Sequence, residues 1–266
     1  MKILVAVKQV AALDEDFAIR DDGRDVDPDF LIRDLNEWDD FSLEEAVKIK
    51  EAAAEPVEVI VVSVGPDEVD ESLRKCLAKG ADRAMRVWDA AIEGSDSIAV
   101  ARILAAVARR ETPDLLFAGV QSSDQAFAST GIATAGLLGW PHAAVVANLR
   151  YTPGAKTAVF RRELEGGILH EVEIQVPAVL TIQAGINTPR YASLRSIKQA
   201  AAKPIEVLWL TDVELGIDAV GEAGSLSRVR RMYIPEKGRA QLIEGGPAEQ
   251  ALRLAAIIRE FKGEAT

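Results

Sequence analysis

The sequence predicts an α/β protein: a mostly parallel sheet flanked by helices, extended by antiparallel strands and ending in an arm. Three observations carry this. Up to about residue 140, short β-branched runs alternate with amphipathic or Ala-rich helical stretches, the order that covers both faces of parallel strands with helices. From Ala143, strand-like runs follow one another directly, with Gly166-Gly167 as the tight turn of a hairpin. Between Thr211 and Lys237 the chain is polar and lacks clear periodicity, which suits an arm lying on a partner better than an independent core.

Ile3 to Val7 is the first strand. Ser42-Leu-Glu-Glu45 has the form of a capping box, expected to open a helix whose Leu43, Ala46, Val47 and Ala53 share a face. Val57 to Val64 is a strongly β-branched strand, after which Pro66 and Asp67 start a helix that Gly80 ends. Cys76 falls on the same face of that helix as Val69, Leu73 and Leu77, so it reads as a small buried apolar group. Met85 to Trp88 is a short strand, 97–110 an Ala-rich helix closing on Arg109 and Arg110, Leu115 to Ala118 a strand, and 125–138 a helix. Ala143 to Leu149, Thr157 to Leu164, Ile168 to Gln175 and Ala178 to Ile182 read as successive strands. Ile205 to Leu210 is a further strand, and Pro247 to Lys262 a final helix.

Thirty-one basic residues face 42 acidic ones, a net charge of −11. That balance excludes a nucleic-acid binder or a binder of anionic membranes, both of which need a basic footprint. One cysteine excludes an internal disulfide and a multi-thiolate metal site. His142 and His170 stand apart without ligand spacing. The apolar run inside Met1 to Lys8 is too short for a signal peptide, and no apolar segment reaches membrane-spanning length, so a cytoplasmic protein without membrane insertion is expected. No G-x-S-x-G, H-E-x-x-H or G-x-x-x-x-G-K-[ST] pattern occurs, and Lys8 to Asp14 after the first strand carries no glycine. The acidic runs Asp34 to Asp40 and Glu163-Leu-Glu165 read as solvated faces. The chain has no catalytic toolkit.

Two stretches stand out. Gly119-Val-Gln-Ser-Ser-Asp-Gln-Ala-Phe-Ala-Ser-Thr-Gly131 follows a strand and leads into a helix, so small residues and free N–H groups meet where an anion is favoured; the residues fit a Ser/Asp-capped helix start without a ligand equally well. Gln183 to Lys198 is broken by Asn187 and Pro189, and then sets Tyr191 and Leu194 among Arg190, Arg195 and Lys198. An aromatic and an isolated leucine among cations is the composition of an interface anchor, although a polar connection would also be exposed.

Several ordered motifs together resemble the β (small) subunit of electron transfer flavoproteins. They are Ile-Leu-Val-Ala-Val-Lys8, the Asn36 turn before Ser-Leu-Glu-Glu-Ala46, Cys76-Leu-Ala-Lys-Gly-Ala-Asp-Arg83, and the Gly119 to Gly131 loop with Trp140-Pro141 after it. Arg162-Glu-Leu-Glu-Gly-Gly167 and Asn187-Thr-Pro-Arg-Tyr-Ala192 complete the set. Asp34-Leu-Asn-Glu-Trp-Asp-Asp-Phe-Ser42 and Arg228-Val-Arg-Arg-Met-Tyr-Ile-Pro-Glu-Lys-Gly238 look most like the methylotrophic-bacterial type, which accepts electrons from trimethylamine dehydrogenase.

The resemblance implies a heterodimeric electron carrier rather than an enzyme. The α subunit would hold most of the redox FAD, while this chain holds AMP and docks on a primary dehydrogenase. Residues 1–183 would form the nucleotide-binding body, 184–203 a partner recognition loop, and 204–266 a strand, arm and helix packing on the α subunit. AMP would contact Ala6, then Asn36, Glu37, Trp38 and Asp39, then Val64. It would also meet the loop of Gly119, Val120, Gln121, Ser122, Ser123, Asp124, Gln125, Ala126, Phe127, Ala128, Ser129 and Thr130. Tyr191, Leu194 and Arg195 would dock the partner, with Leu194 as anchor, and Glu163 would pair with an arginine of the mobile flavin domain. Glu37 and Trp38 replace the family's usual Pro-Phe, and Val64 stands where some members have cysteine. Electron-bifurcating members carry a second FAD in this subunit and Asp-Gly-Asp-Thr-Ala-Gln in the loop; Ser-Asp-Gln-Ala-Phe-Ala here favours AMP. Two rivals remain. An ATP-using enzyme of the adenine-nucleotide α-hydrolase type, whose architecture the expected fold shares, would need a Ser-Gly-Gly-x-Asp-Ser loop after the first strand. A nucleotide-sensing stress protein would be a compact homodimer without the loop and tail.

Overall fold

The fold is a nine-stranded sheet whose parallel part is covered by helices on both faces, given by a computed structural model that describes residues 1–13, 17–235, 238 and 240–263. The first strand, β1 (Lys2–Ala6), is followed by a small antiparallel hairpin of β2 (Gln9–Leu13) and β3 (Leu31–Leu35). This hairpin replaces the expected glycine-free turn after β1; Asp14, at that turn's end, lies outside the described residues. Helix α1 (Glu37–Ala52), β4 (Glu58–Val64), α2 (Asp70–Lys79), β5 (Arg83–Val87), α3 (Ser97–Glu111), β6 (Leu115–Gly119) and α4 (Thr130–Leu138) then alternate. After them come β7 (His142–Arg150), β8 (Thr157–Leu164), β9 (Ile168–Gln175), β10 (Ala178–Ile182), α5 (Leu194–Ala202) and β11 (Ile205–Leu208).

The sheet order is β11-β5-β4-β1-β6-β10-β7-β8-β9. The strands from β11 to β7 run parallel, and β7-β8-β9 form an antiparallel extension. The extension was expected to include Ala178 to Ile182, and that is corrected: β10 inserts between β6 and β7 and is parallel to both. All five of its residues are buried, as for a strand covered on both faces. β4 behaves alike, with Val59 to Val62 fully buried.

Helices α1 and α2 close one face of the sheet over Leu43, Val47, Leu73, Cys76 and Leu77, packed on Ile3, Val61, Phe117 and Leu180. Helices α3 and α4 close the other face, with Ile103, Leu104, Val107 and Ala135 against Leu4, Ile60, Met85 and Leu116. Burial pushes the Cys76 thiol pKa up, so it is a packing group.

Helix boundaries differ from the sequence reading in four places. Helix α2 begins at Asp70, after a 3-10 turn over Asp67–Val69, and not at Pro66 and Asp67. Helix α1 begins at Glu37 behind Asn36, not at Ser42; Ser42 sits one turn inside and its hydroxyl donates to the Trp38 carbonyl at 3.0 Å, the local back-bonding that mimics a cap pattern in sequence. Helix α4 begins at Thr130, because Ala126 and Ala128 take left-handed φ values of 51° that a helix cannot contain. Within the presumed loop 184–203, Ser193 accepts a hydrogen bond from the Ser196 amide and caps α5, so half of that segment is helical.

The chain forms two compact units, Met1–Arg230 and Arg231–Thr266. The expected arm from Thr211 is corrected for its first part: Val213 and Val220 are buried in the core of the first unit, beside Leu210, and α6 (Gly221–Gly224) follows. The second unit contains α7 (Pro247–Phe261), along which Leu252, Leu254, Ile257, Ile258 and Phe261 are exposed. Glu236 and Lys237, at the end of the expected arm, lie outside the described residues.

Candidate functional site

From β1 the chain turns to one side to build β4 and β5, and then crosses back to place β6 on the other side of β1. A parallel sheet opens a crevice at such a reversal, beyond the carboxyl ends of its strands. A cavity of about 360 Å³ lies there. Ala6, Val64, Trp88 and Gly119 line it from strand ends, Val100 and Leu104 from α3, and Phe127 to Gly131 from the approach to α4.

Asn36 and Asp39, on the first turn of α1, hold the loop that follows β6. The Asp39 carboxylate accepts the Lys8 amide at 2.8 Å through Oδ2 and the Gly119 amide at 2.8 Å through Oδ1. The Asn36 amide donates to the Gln121 carbonyl at 2.9 Å and its oxygen accepts the Ser123 amide at 3.2 Å. Both side chains are buried and spent on the backbone. Burial pushes the Asp39 carboxyl up to about 6, against the pull of the Lys8 and Gly119 N–H groups and of Asn36. The loop and helix come so close that a Cβ on Gly119 would lie 2.5 Å from the Trp38 Cβ, which only glycine permits.

Lys8 is the sole lysine or arginine among the residues lining the cavity. Its Nζ lies 2.7 Å from Asp124 Oδ1 and also donates to Gln125 Oε1 and Ser122 Oγ. Burial opposes ionisation of Asp124, but the hydrogen bonds from Lys8 and Ser122 outweigh it and hold the carboxyl below its usual range. Helix α4 points its N-terminus at the cavity, and the Ser129 side chain makes no cap hydrogen bond, so the first-turn amides face the space where an anion is favoured. The N-terminus of α3, by contrast, is closed by Asp96, whose Oδ1 accepts from Ile98 and Ala99 and whose Oδ2 accepts from Leu226 and Ser227.

Of the expected nucleotide contacts, Ala6, Asn36, Asp39, Val64, Gly119, Val120, Gln121, Ser122, Gln125, Phe127, Ala128, Ser129 and Thr130 line this cavity. Glu37, Trp38, Ser123, Asp124 and Ala126 do not; Glu37 is exposed, Trp38 packs against the Gly119 turn, and Asp124 holds Lys8. Lys8, Gly65, Pro66, Trp88, the 92–97 turn, Val100 and Leu104 were not anticipated. Gly65-Pro66 and Trp88 each directly follow a parallel strand, a position that could have singled them out. Among the described residues no group of three or more His, Cys, Asp or Glu is placed for a metal, and no helix is long and apolar enough to cross a membrane.

Tyr191 and Leu194 are 99% and 82% exposed, and Arg195 is exposed as well. Arg190 instead turns inward to Glu44 and Glu51. Glu163 is exposed on β8 opposite Leu169 of β9.

Comparison with known proteins gives a consistent result. Residues 33–213 match the family described as "Electron transfer flavoprotein domain". The chain is 71% identical over 263 residues to "Electron transfer flavoprotein subunit beta" of Methylophilus methylotrophus, covering 99% of this chain and all of that one. It is 36% identical over 263 residues to the subunit of that name from Sus scrofa, covering 98% of each. The subunit of that name from Homo sapiens is 36% identical over 229 residues, 85% of this chain and 88% of that one.

Proposed function

The chain belongs to the electron transfer flavoprotein family, and on that premise we propose that it binds AMP at the β1/β6 crevice, supports the FAD domain of an α subunit, and docks on a primary dehydrogenase. As a β-type subunit it is an electron carrier and not an enzyme. The FAD supplies the redox chemistry when bound, and this chain's residues bind and orient.

The observation that carries the nucleotide assignment is the uncapped N-terminus of α4 at the cavity. One end meets the free first turn of α4, while Lys8, the one lining cation, is already committed to Asp124. Helix N–H donors suit a monophosphate, and the residues lining the cavity include no second lysine or arginine for the outer charge of a triphosphate. The volume of about 360 Å³ lies near the bottom of the roughly 300–1,000 Å³ span of small-molecule sites; it fits a mononucleotide, whereas FAD contains AMP and a whole flavin mononucleotide besides. Ala6, Val64 and Trp88 give apolar walls for a base.

Tyr191, Leu194 and Arg195 are the proposed docking residues, and the resemblance of residues 34–42 and 228–238 to the methylotrophic-bacterial type supports a partner of the trimethylamine dehydrogenase type. Glu163 is the proposed contact for an arginine of the α flavin domain. Such an exposed pair is worth only ~0–1 kcal/mol, weak enough for the domain to swing between poses. The exposed apolar side chains of α7 suit packing on the α subunit.

The test is co-expression with an α subunit, followed by denaturation and mass spectrometry of the released nucleotides. One AMP and one FAD per heterodimer is the expected result. Two FAD molecules would establish the bifurcating type, and ATP turnover by the purified protein would overturn the carrier reading.

A further inference from the structure

We propose that Arg190 is the positioning residue of the docking segment: its guanidinium, clamped between Glu44 and Glu51 of α1, fixes the start of α5 so that Tyr191 and Leu194 are presented in one arrangement. The inference rests on the reading of Leu194 as the docking anchor. It gives Arg190 a role opposite to the one its composition suggests, since the cation faces the chain's own helix and not a partner.

Residues 183–193 between β10 and α5 have no regular structure of their own, and Gly185 adopts a φ of 88°. Side chains therefore have to hold them. Asn187 Nδ2 donates to the Phe41 carbonyl at 3.1 Å and to Glu45 Oε2 at 2.9 Å. The Arg190 backbone N–H donates to Glu44 Oε2 at 3.1 Å; its Nε reaches the same oxygen at 2.8 Å and its Nη2 reaches Glu44 Oε1 at 3.0 Å. Nη1 and Nη2 donate to Glu51 Oε1 at 2.5 Å and Oε2 at 2.9 Å. Glu44 and Glu51 stand seven residues apart, two turns on one face of α1. Bridging them takes a planar fork with donors on both edges, which arginine has and lysine lacks. Hydrogen bonds to Glu51 and Glu44 raise the Arg190 pKa further, and the bond from Arg190 holds Glu51 below its usual range.

The very next residue, Tyr191, is fully in solvent, and Leu194 lies one turn beyond. An anchor on a slack tether must be ordered at every encounter, and that cost is charged to affinity. The clamp removes the cost in advance. Glu44 is buried, so removing Arg190 altogether would strand its charge; the informative variants are Arg190→Lys, which keeps the charge, and Glu51→Ala, which opens only the exposed jaw.

Each variant is made in the AMP-loaded heterodimer, beside Leu194→Ala and the Arg190→Lys/Leu194→Ala double variant. Three readouts apply: amide exchange across 188–196 without dehydrogenase, the KM and limiting rate of flavin reduction by the dehydrogenase, and chemical reduction by dithionite. Arg190→Lys and Glu51→Ala are expected to speed amide exchange and to raise KM about three- to tenfold, the range for losing a few ordered side chains. The limiting rate, dithionite reduction and AMP content should stay constant. The double variant should be scarcely worse than Leu194→Ala, because a clamp acting through the anchor has nothing left to present. Unchanged exchange, an unchanged KM, or losses that multiply in the double variant would each overturn the clamp. If Leu194→Ala itself leaves KM unchanged while exchange responds to Arg190→Lys, the docking reading fails and not the clamp geometry.

Discussion

Replacing Asp39 by asparagine separates the two things this carboxylate does. Its oxygens accept the partly buried Lys8 and Gly119 amides, and an asparagine turns an NH2 group toward one of them. Leaving that donor without an acceptor costs about 1–3 kcal/mol. Against this, the variant loses a charge that burial disfavours: raising an acid from 3.8 to about 6 corresponds to about 3 kcal/mol against the ionised form. The two nearly cancel at neutral pH, so the melting temperature should move little. With the NH2 turned toward Gly119, the loop from Gly119 to Ser123 nevertheless loses its hydrogen bond to residue 39, and AMP affinity should fall about tenfold, the equivalent of about 1.4 kcal/mol.

The pH dependence has a definite sign. Because the folded-state pKa is raised, the Asp39 contribution to stability is fully present below 3.8 and is lost as pH rises through about 6. Depressed carboxylates such as Asp124 and Glu51 pull the other way, but they do so in both proteins. The wild type should therefore gain on Asp39→Asn between pH 7 and pH 5. Thermal melts of both proteins at those two pH values, paired with AMP titration of nucleotide-stripped heterodimer, measure both parts. Wild-type AMP affinity in the variant would refute the staple, and a stability difference independent of pH would refute the buried charge.

Gly119→Ala should destabilise the subunit and expel the nucleotide, since the new Cβ meets the Trp38 Cβ at 2.5 Å and the Trp38 backbone carbon at 3.0 Å; overpacking of this kind costs about 1–3 kcal/mol, readable by urea unfolding. Thr130→Glu puts a carboxylate on the first turn of α4, where it favours the helix by about 0.3–1 kcal/mol yet competes with the phosphate; a heterodimer that assembles less well and carries no AMP, with near-normal electron transfer, is expected by mass spectrometry and stopped-flow reduction. Phe117→Ala empties the centre of the core, where Phe117 is fully buried, and should cost about 3–5 kcal/mol in a chemical melt without any specific effect on docking.

Local physics made much of this protein legible in the sequence. The β-branched run at β4, the proline and glycine that bracket α2, and the Gly166-Gly167 turn depend on neighbours within a few residues, and the hairpin of β8 and β9 came out with its expected bounds. The strand–loop–helix at Gly119 to Gly131, legible for the same reason, lines the crevice proposed for the nucleotide. Tertiary structure decided what depends on residues far away in the chain. An apolar strand such as β10 carries no sign of its neighbours, and only packing sets it between β6 and β7. Asn36 and Asp39 look like a solvated acidic turn, yet their acceptors meet donors 80 and 87 residues on, at Gly119 and Ser123. Arg190 reads as a free surface cation, and folding delivers it to Glu44 and Glu51, about 140 residues earlier. A side chain's chemistry is written in its own residue, but whether its charge or donor is spent internally is fixed by which partner the folded chain brings within 3 Å.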